Sequence, residues 1–131
     1  MSTDLRLAVA NRPGTLARSC DVLAKAGVKV EGISGDLRPG EKWGYVHVLV
    51  DDADKANAAL AQAGIEVIGQ HDVEVVSIPS GDVNLGEMIT DFTGPDRNME
   101  VFYPTLDGRL AIATEDMRRA RPGVRMGDAR Y

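Results

Sequence analysis

The sequence predicts an α+β chain built of two ferredoxin-like β-α-β-β-α-β units with antiparallel sheets, the second of them incomplete. Three observations predict it. Apolar residues recur with period two and then with helical spacing, in that order, across the first half of the chain. Glycine closes each helical run, at Gly27 and Gly64. The whole pattern then begins again near residue 72, displaced by 69 positions. The units are placed at residues 1–71 and 72–131.

Leu5, Leu7 and Val9 alternate with Arg6, Ala8 and Ala10, which gives a first strand with one apolar face. The turn Asn11-Arg12-Pro13-Gly14-Thr15-Leu16 follows. Leu16, Cys20 and Leu23 then fall at helical spacing with Ala17 and Ala24 beside them, and the helix ends at Lys25 and Gly27. Cys20 is expected on the buried stripe as a small core hydrophobe. Val28 to Ile33 is a second strand, residues 36–42 are a polar loop, and Trp43 to Val50 is a third strand. Val46, Val48 and Val50 share one of its faces; Trp43, Tyr45, His47 and Leu49 share the other. Asp51-Asp52 opens a helix through Gln62, with Ala56, Ala59, Leu60 and Ala63 on its inner face. Ile65, Val67 and Ile68 begin a fourth strand. In a split βαβ sheet the Trp43, Tyr45, His47 stripe lies away from the helices, where a partner or another part of this chain would meet it.

The shift of 69 places Leu7 on Val76, Val9 on Ile78, Leu16 on Leu85, Cys20 on Ile89, Leu23 on Phe92, Val30 on Met99 and Glu31 on Glu100. A shorter second hairpin changes the shift to 64, so that Gly44 meets Gly108, Val46 meets Leu110, Val48 meets Ile112, Asp52 meets Asp116 and Ala56 meets Ala120. Asn84 and Glu87 mark the helix start of the second unit, and Gly94-Pro95 its end. Leu106-Asp107-Gly108-Arg109 is a hairpin signal. The second copy has Ser80-Gly81-Asp82-Val83 where the first has its Pro-Gly turn, and Pro122-Gly123 cuts its last helix short, with Val124 and Met126 left for a final strand.

The chain carries 15 basic and 20 acidic residues, a formal charge of −5, which argues against nucleic acid as its main partner. Its densest basic run, Arg118-Arg119-Ala120-Arg121, reads as the solvated face of a short helix. One cysteine permits no internal disulfide, and neither a signal peptide nor a membrane-spanning run is evident, so a soluble cytoplasmic protein is expected. No Ser-His-Asp order, phosphate-cradling glycine loop or dinucleotide fingerprint appears, and no cofactor is expected.

The turn from Asn11 to Leu16 is where chemistry is expected. Pro13 fixes one φ angle, and Gly14 removes a side chain where the helix begins. The backbone N–H groups there, with the positive end of the helix dipole, suit a carboxylate or another small anion. The plainer alternative is a tight turn that binds nothing.

These residues resemble an ACT domain. The likeness is carried by Leu7-Ala8-Val9 running into Asn11-Arg12-Pro13-Gly14-Thr15-Leu16, by Leu23 to Val30, by the valine-rich third strand ending in Asp51-Asp52, by Lys55-Ala56, and by Asp72 to Pro79 opening a second unit. It extends to small stand-alone proteins of two ACT units. The resemblance implies a non-catalytic regulatory or sensor protein that binds a small metabolite, an amino acid above all, where two units meet. Asn11 would hydrogen-bond the ligand, Gly14 would allow close approach, and the N–H groups near Thr15 and Leu16 would take its carboxylate. Phe102 and Tyr103 from the second unit, or Ile33 and Ser34 from a dimer mate, would wall it. In the second unit Asp82 would repel a carboxylate. A homodimer and a regulated enzyme partner are further expectations.

Two readings from other classes stand beside it. One is a small metal-dependent enzyme of paired βαβββ type using His47, His71 and Glu100, distinguished by having a strand where this chain has its second helix. The other is an interaction domain with no ligand. His47 more simply belongs to the sheet-face contact, where it would answer to pH.

Overall fold

The computed structural model describes residues 2–79, 81 and 84–119. Strand β1 (Thr3–Ala10), helix α1 (Thr15–Lys25), strands β2 (Val30–Asp36) and β3 (Trp43–Val50), helix α2 (Ala53–Gln62) and strand β4 (Glu66–Asp72) form the first unit. Its antiparallel sheet has the order β2-β3-β1-β4. Both helices pack on one face. Leu5, Leu7 and Val9 of β1 and Val46, Val48 and Val50 of β3 meet Leu23 of α1 and Ala56 and Leu60 of α2 there. Leu60 is fully buried, and such a side chain contributes roughly 1.5–3 kcal/mol. Helix α2 starts where Asp52 accepts the N–H of Lys55 at 3.0 Å.

Helix α1 turns slightly from the stripe its sequence predicts. Ser19 and Leu23 are its buried residues, and Cys20 is only half-buried. A serine can take the core position because its hydroxyl donates to the carbonyl of Thr15 one turn back, at 2.9 Å.

Strand β5 (Glu74–Val76), helix α3 (Leu85–Thr93), and strands β6 (Met99–Pro104) and β7 (Leu110–Thr114) form a second antiparallel sheet, ordered β5-β7-β6. Asn84 caps α3 by accepting from Glu87 N–H at 3.0 Å. The internal repeat holds residue by residue. Leu7 pairs with Val46 and Ile33 with Val48 in the first sheet; Val76 pairs with Leu110 and Phe102 with Ile112 in the second. The second strand of each unit even bulges at the same place, Glu31 in one and Glu100 in the other.

The second unit departs from the first after β7. A single 3-10 turn, Glu115–Met117, replaces the start of a helix, and Arg118 is extended. The expected solvated helical face at Arg118-Arg119 is therefore corrected, and the reason is pairing. Arg118 forms a bridge with His71, and the N–H of Arg119 donates to Gln70 at 2.7 Å, so this segment lies along the free edge of β4. Arg119 also reaches Asp72 at 2.5 Å. The shortened helix at Pro122-Gly123, the Val124–Met126 strand and Asp82 fall outside the described residues. Among the described residues no helix is long and apolar enough to cross a membrane.

The two sheets meet face to face. Leu49, on the helix-free side of the first sheet, packs with Val73, Val101, Tyr103, Ala111 and Ala113. Gly32 permits the approach: a Cβ there would lie 3.3 Å from the Tyr103 ring and 3.5 Å from the Thr105 backbone. Each bulged glutamate is held from an equivalent position of the repeat. Ser2 donates to Glu31 at 2.9 Å, and its repeat equivalent His71 donates from Nε2 to Glu100 at 2.8 Å. Glu100 also accepts two bonds from Arg118.

Those Arg118 bonds hold the Glu100 carboxyl below the usual carboxylate range; burial opposes the shift and the His71 bond adds to it. A depressed folded pKa gives stability that is full above the ordinary value of 4.5 and lost as pH falls through the folded value. Glu100→Gln is expected to cost about 1–3 kcal/mol at neutral pH. Urea denaturation across pH should show the gap between the two proteins narrowing below pH 4.5.

Candidate functional site

Alternation along β1 and β3 sends Asp4, Arg6, Tyr45, His47 and Leu49 to the helix-free face. The second sheet covers only part of that face. Asp4 and Leu49 are completely buried under it, whereas Trp43 is 55% and Tyr45 40% exposed. The row Arg6, His47 and Ser34, paired across three strands, is the border.

Beyond the border lies a cleft of about 740 Å³. Arg6 from β1, Ser34, Gly35 and Asp36 from β2, and Trp43, Tyr45 and His47 from β3 form its floor, and Arg38, Gly40, Glu41 and Lys42 from the β2–β3 loop form its wall. The Arg6 guanidinium lies over the Tyr45 ring, 4.8 Å from its centroid. Arg38 is paired with Asp36 at 2.9 Å. Both charge signs and two aromatic rings thus line one open surface.

The loop wall is clamped. Asn11 Nδ2 donates to the carbonyls of Arg38 at 2.7 Å and Glu41 at 2.9 Å, and Asn11 N–H donates to Lys42 at 2.9 Å. Leu37 fills the space a side chain at Gly44 would need, since a Cβ there would collide with its methyl group. Asn11 therefore shapes the cleft through the loop and does not line it.

The rest of the turn is built for chain reversal. Gly14 has φ +90°, and the Thr15 hydroxyl bonds the carbonyls of Ala10 at 2.7 Å and Arg12 at 3.1 Å. Arg12, Pro13 and Gly14 are exposed and Leu16 packs partly on the core. Of the ten residues expected to bind ligand, Ser34 lines the cleft. Ile33 points to the helix side. Tyr103 is buried behind His47, ring centroids 5.8 Å apart. Phe102 is 39% exposed and pairs with Ile112, in the register position that Ile33 holds in the first unit. The cleft does not bring the turn, Phe102 or Tyr103 together with Ser34.

Behind the border sits a buried acid. Asp4 accepts from His47 Nδ1 at 2.9 Å and from the Tyr103 hydroxyl at 2.7 Å. Burial pushes the Tyr103 phenol pKa strongly up, and the Asp4 charge and hydrogen bond push it further, so Tyr103 remains a donor. His47 Nδ1 faces the Asp4 carboxylate, which leaves Nε2 as the other polar edge of a ring that lines the cleft. His71 is held separately by Glu100. Among the described residues no three His, Cys, Asp or Glu side chains converge as a metal site would require, and α2 stands where the paired βαβββ fold would have a strand.

Sequence reasoning found the Trp43, Tyr45, His47 stripe but missed Arg6, Asp36, Arg38, Glu41 and Lys42 as lining, and Asp4 as support. The signal was present for β1: Asp4 and Arg6 are the charged residues of the strand that alternate with Leu5 and Leu7. Replacing Gly14 by alanine should cost about 1–2 kcal/mol, through its positive φ rather than by filling space, because a Cβ there meets nothing within 4 Å. Urea denaturation of Gly14→Ala measures that cost.

Neither a family model nor a curated protein matches the chain. Solved structures do. A Bacteroides thetaiotaomicron protein superposes with a TM-score of 0.71 at 22% identity, over 88% of this chain and 80% of that one. The ligand-free regulatory subunit of aspartate kinase from Thermus thermophilus gives 0.63 at 22% identity, over 86% and 82%. The regulatory subunit from Thermus flavus gives 0.56 at 20%, over 86% and 82%. What these likenesses establish is the fold: the chain has the α+β architecture of antiparallel ferredoxin-like units that the aspartate kinase regulatory subunits share.

Proposed function

We propose that this protein is a non-catalytic regulatory or sensor module of the ACT type, made of units 1–71 and 72–131, that binds a small amino-acid-like metabolite in the cytoplasm. The observation that carries the reading is the clamped cleft on the first unit. Arg6 and Lys42 line it with positive charge, Glu41 with negative charge and Ser34 with a hydroxyl, the mixed polarity that an amino-acid-like ligand would meet. The likeness to subunits whose role is regulation supports the same class.

In this reading the turn Asn11 to Leu16 acts mainly by setting the loop wall, and its exposed helix start is a second position for an anion. Tyr103 and Phe102 belong to the neighbouring unit, and Ile33 holds β2 on the core. A ligand that closes the cleft would favour one arrangement of loop, border row and second sheet. A homodimer and a regulated enzyme would respond to that difference in population.

A thermal-shift screen against the twenty amino acids tests the reading. A ligand at about 100 times its Kd should add ~2.7 kcal/mol and raise the melting temperature by several degrees. Absence of any shift at millimolar concentration would sink it. Asn11→Ala should weaken a binding ligand by about tenfold or more, while costing only about 1–2 kcal/mol of stability. Unchanged affinity, by calorimetry, would show that the clamp does not shape the site.

A further inference from the structure

The pairing of Arg118 and Arg119 with β4 has a direction, and the chain has twelve residues left to follow it. We infer that residues 120–126 continue along the outer edge of β4 as a fifth strand of the first sheet, so that the chain's own C-terminal segment closes that edge.

Among the described residues β4 is the outer strand of the order β2-β3-β1-β4. Arg118 stands opposite His71 in an antiparallel bridge, and the Arg119 N–H donates to the Gln70 carbonyl at 2.7 Å. The side chains agree with that register. His71 pairs with Asp4 on the helix-free face, and Arg118 opposite it reaches Glu100 of the second sheet. Gln70 faces the helices, where Asn57 of α2 donates to it at 3.1 Å, and Arg119 opposite it joins Asp72 at 2.5 Å. An antiparallel neighbour that enters here runs back toward Glu66, about 13 Å along the strand. An edge of that length is a template for pairing with another chain unless it is covered.

The sequence beyond Arg119 fits this course. Ala120, Pro122, Val124 and Met126 alternate with Arg121, Gly123 and Arg125. Alternation from Arg118 and Arg119 puts the apolar set on the helix-free face, with Ala120 opposite Gly69, and the arginines on the helix side. Pro122 falls where a strand at an edge accepts it. Arg119 aims its N–H at β4, so Arg121 and Gly123 do the same, and the nitrogen of Pro122, which has no hydrogen to give, points outward. On the helix side a groove of about 520 Å³ lies between β4 and α2, walled by Ala58, Ala61 and Val67. The stems of Arg121 and Arg125 lie on those alanines with their guanidinium groups in water. Charge favours the docking as well. Residues 120–131 hold three arginines against one aspartate, a net +2, which leaves −7 on the rest of a chain whose total is −5.

NMR on the full-length protein tests the inference. Ala120 and Gly69 should show a close Hα–Hα contact, as opposed residues of a non-hydrogen-bonded pair do. The Arg121 amide should exchange with solvent at least about tenfold more slowly than in an unstructured peptide. Arg121→Pro, which deletes an N–H aimed at β4, should abolish the contact, and Val124→Pro, which deletes an outward one, should keep it. Unprotected exchange at Arg121 without the Ala120–Gly69 contact would overturn the inference, as would equal effects of the two prolines. Contacts from Val124 to Phe102 would also overturn it, because the segment would then complete the second unit. So would a contact that a mixture of labelled and unlabelled protein shows to run between two copies.

Discussion

A carboxylate with no access to water holds the two halves of this molecule in relation to each other. Asp4 is 0% exposed, sits in the second residue of β1, and is met by His47 from β3 and Tyr103 from β6. Burying an unpaired carboxylate costs several kcal/mol, so those donors are a condition of the fold rather than an ornament of it. One comes from the same sheet and one from the other unit. The requirement to satisfy Asp4 therefore positions the second sheet over one part of the first sheet's open face, and the remaining part becomes the cleft. His47 belongs to both: its Nδ1 edge serves the buried acid and its ring lines the open surface.

The two units share a backbone plan and differ in what that plan presents. Strand order, cross-strand register and the bulged glutamate recur. At equivalent positions on the helix-free faces, however, Ser34 becomes Tyr103, Arg6 becomes Val75 and His47 becomes Ala111. Polar residues in the first unit line the open cleft. Apolar ones in the second make a surface for the first. The Tyr103 hydroxyl is the exception, and it is the atom that reaches Asp4. The departure extends past β7, where Arg118 and Arg119 leave helical geometry and pair with Glu100 of β6 and Asp72 of β4.

Most of the architecture was legible because it rests on local rules. Period-two runs gave β1 and β3, Asp52 and Asn84 announced their helices, and the shifts of 69 and 64 relate the register pairs of one sheet to those of the other. Cys20 was misplaced by a fraction of a turn because a serine hydroxyl can bond its own helix and pass for a core residue. The site was less legible. Asn11 was expected to bond a ligand, whereas its side chain donates to backbone carbonyls of a loop some 30 residues away, which no periodicity reveals. Phe102 and Tyr103 are adjacent in sequence and lie on opposite faces of a strand, so they could not wall one site together. Arg6 and Asp4 carried a signal only in combination with a second sheet whose position had first to be known.

The central claim is that Asp4 and Tyr103 couple the two units, and a double-mutant cycle tests it most directly. Asp4→Asn, Tyr103→Phe and the double variant should be compared with the parent by urea denaturation at neutral pH. Contact across a buried charge predicts an interaction energy of about 1–3 kcal/mol, with each single substitution removing much of what the double one removes. Additivity within about 0.3–0.5 kcal/mol would contradict the account, because the two side chains would then stabilise the protein independently.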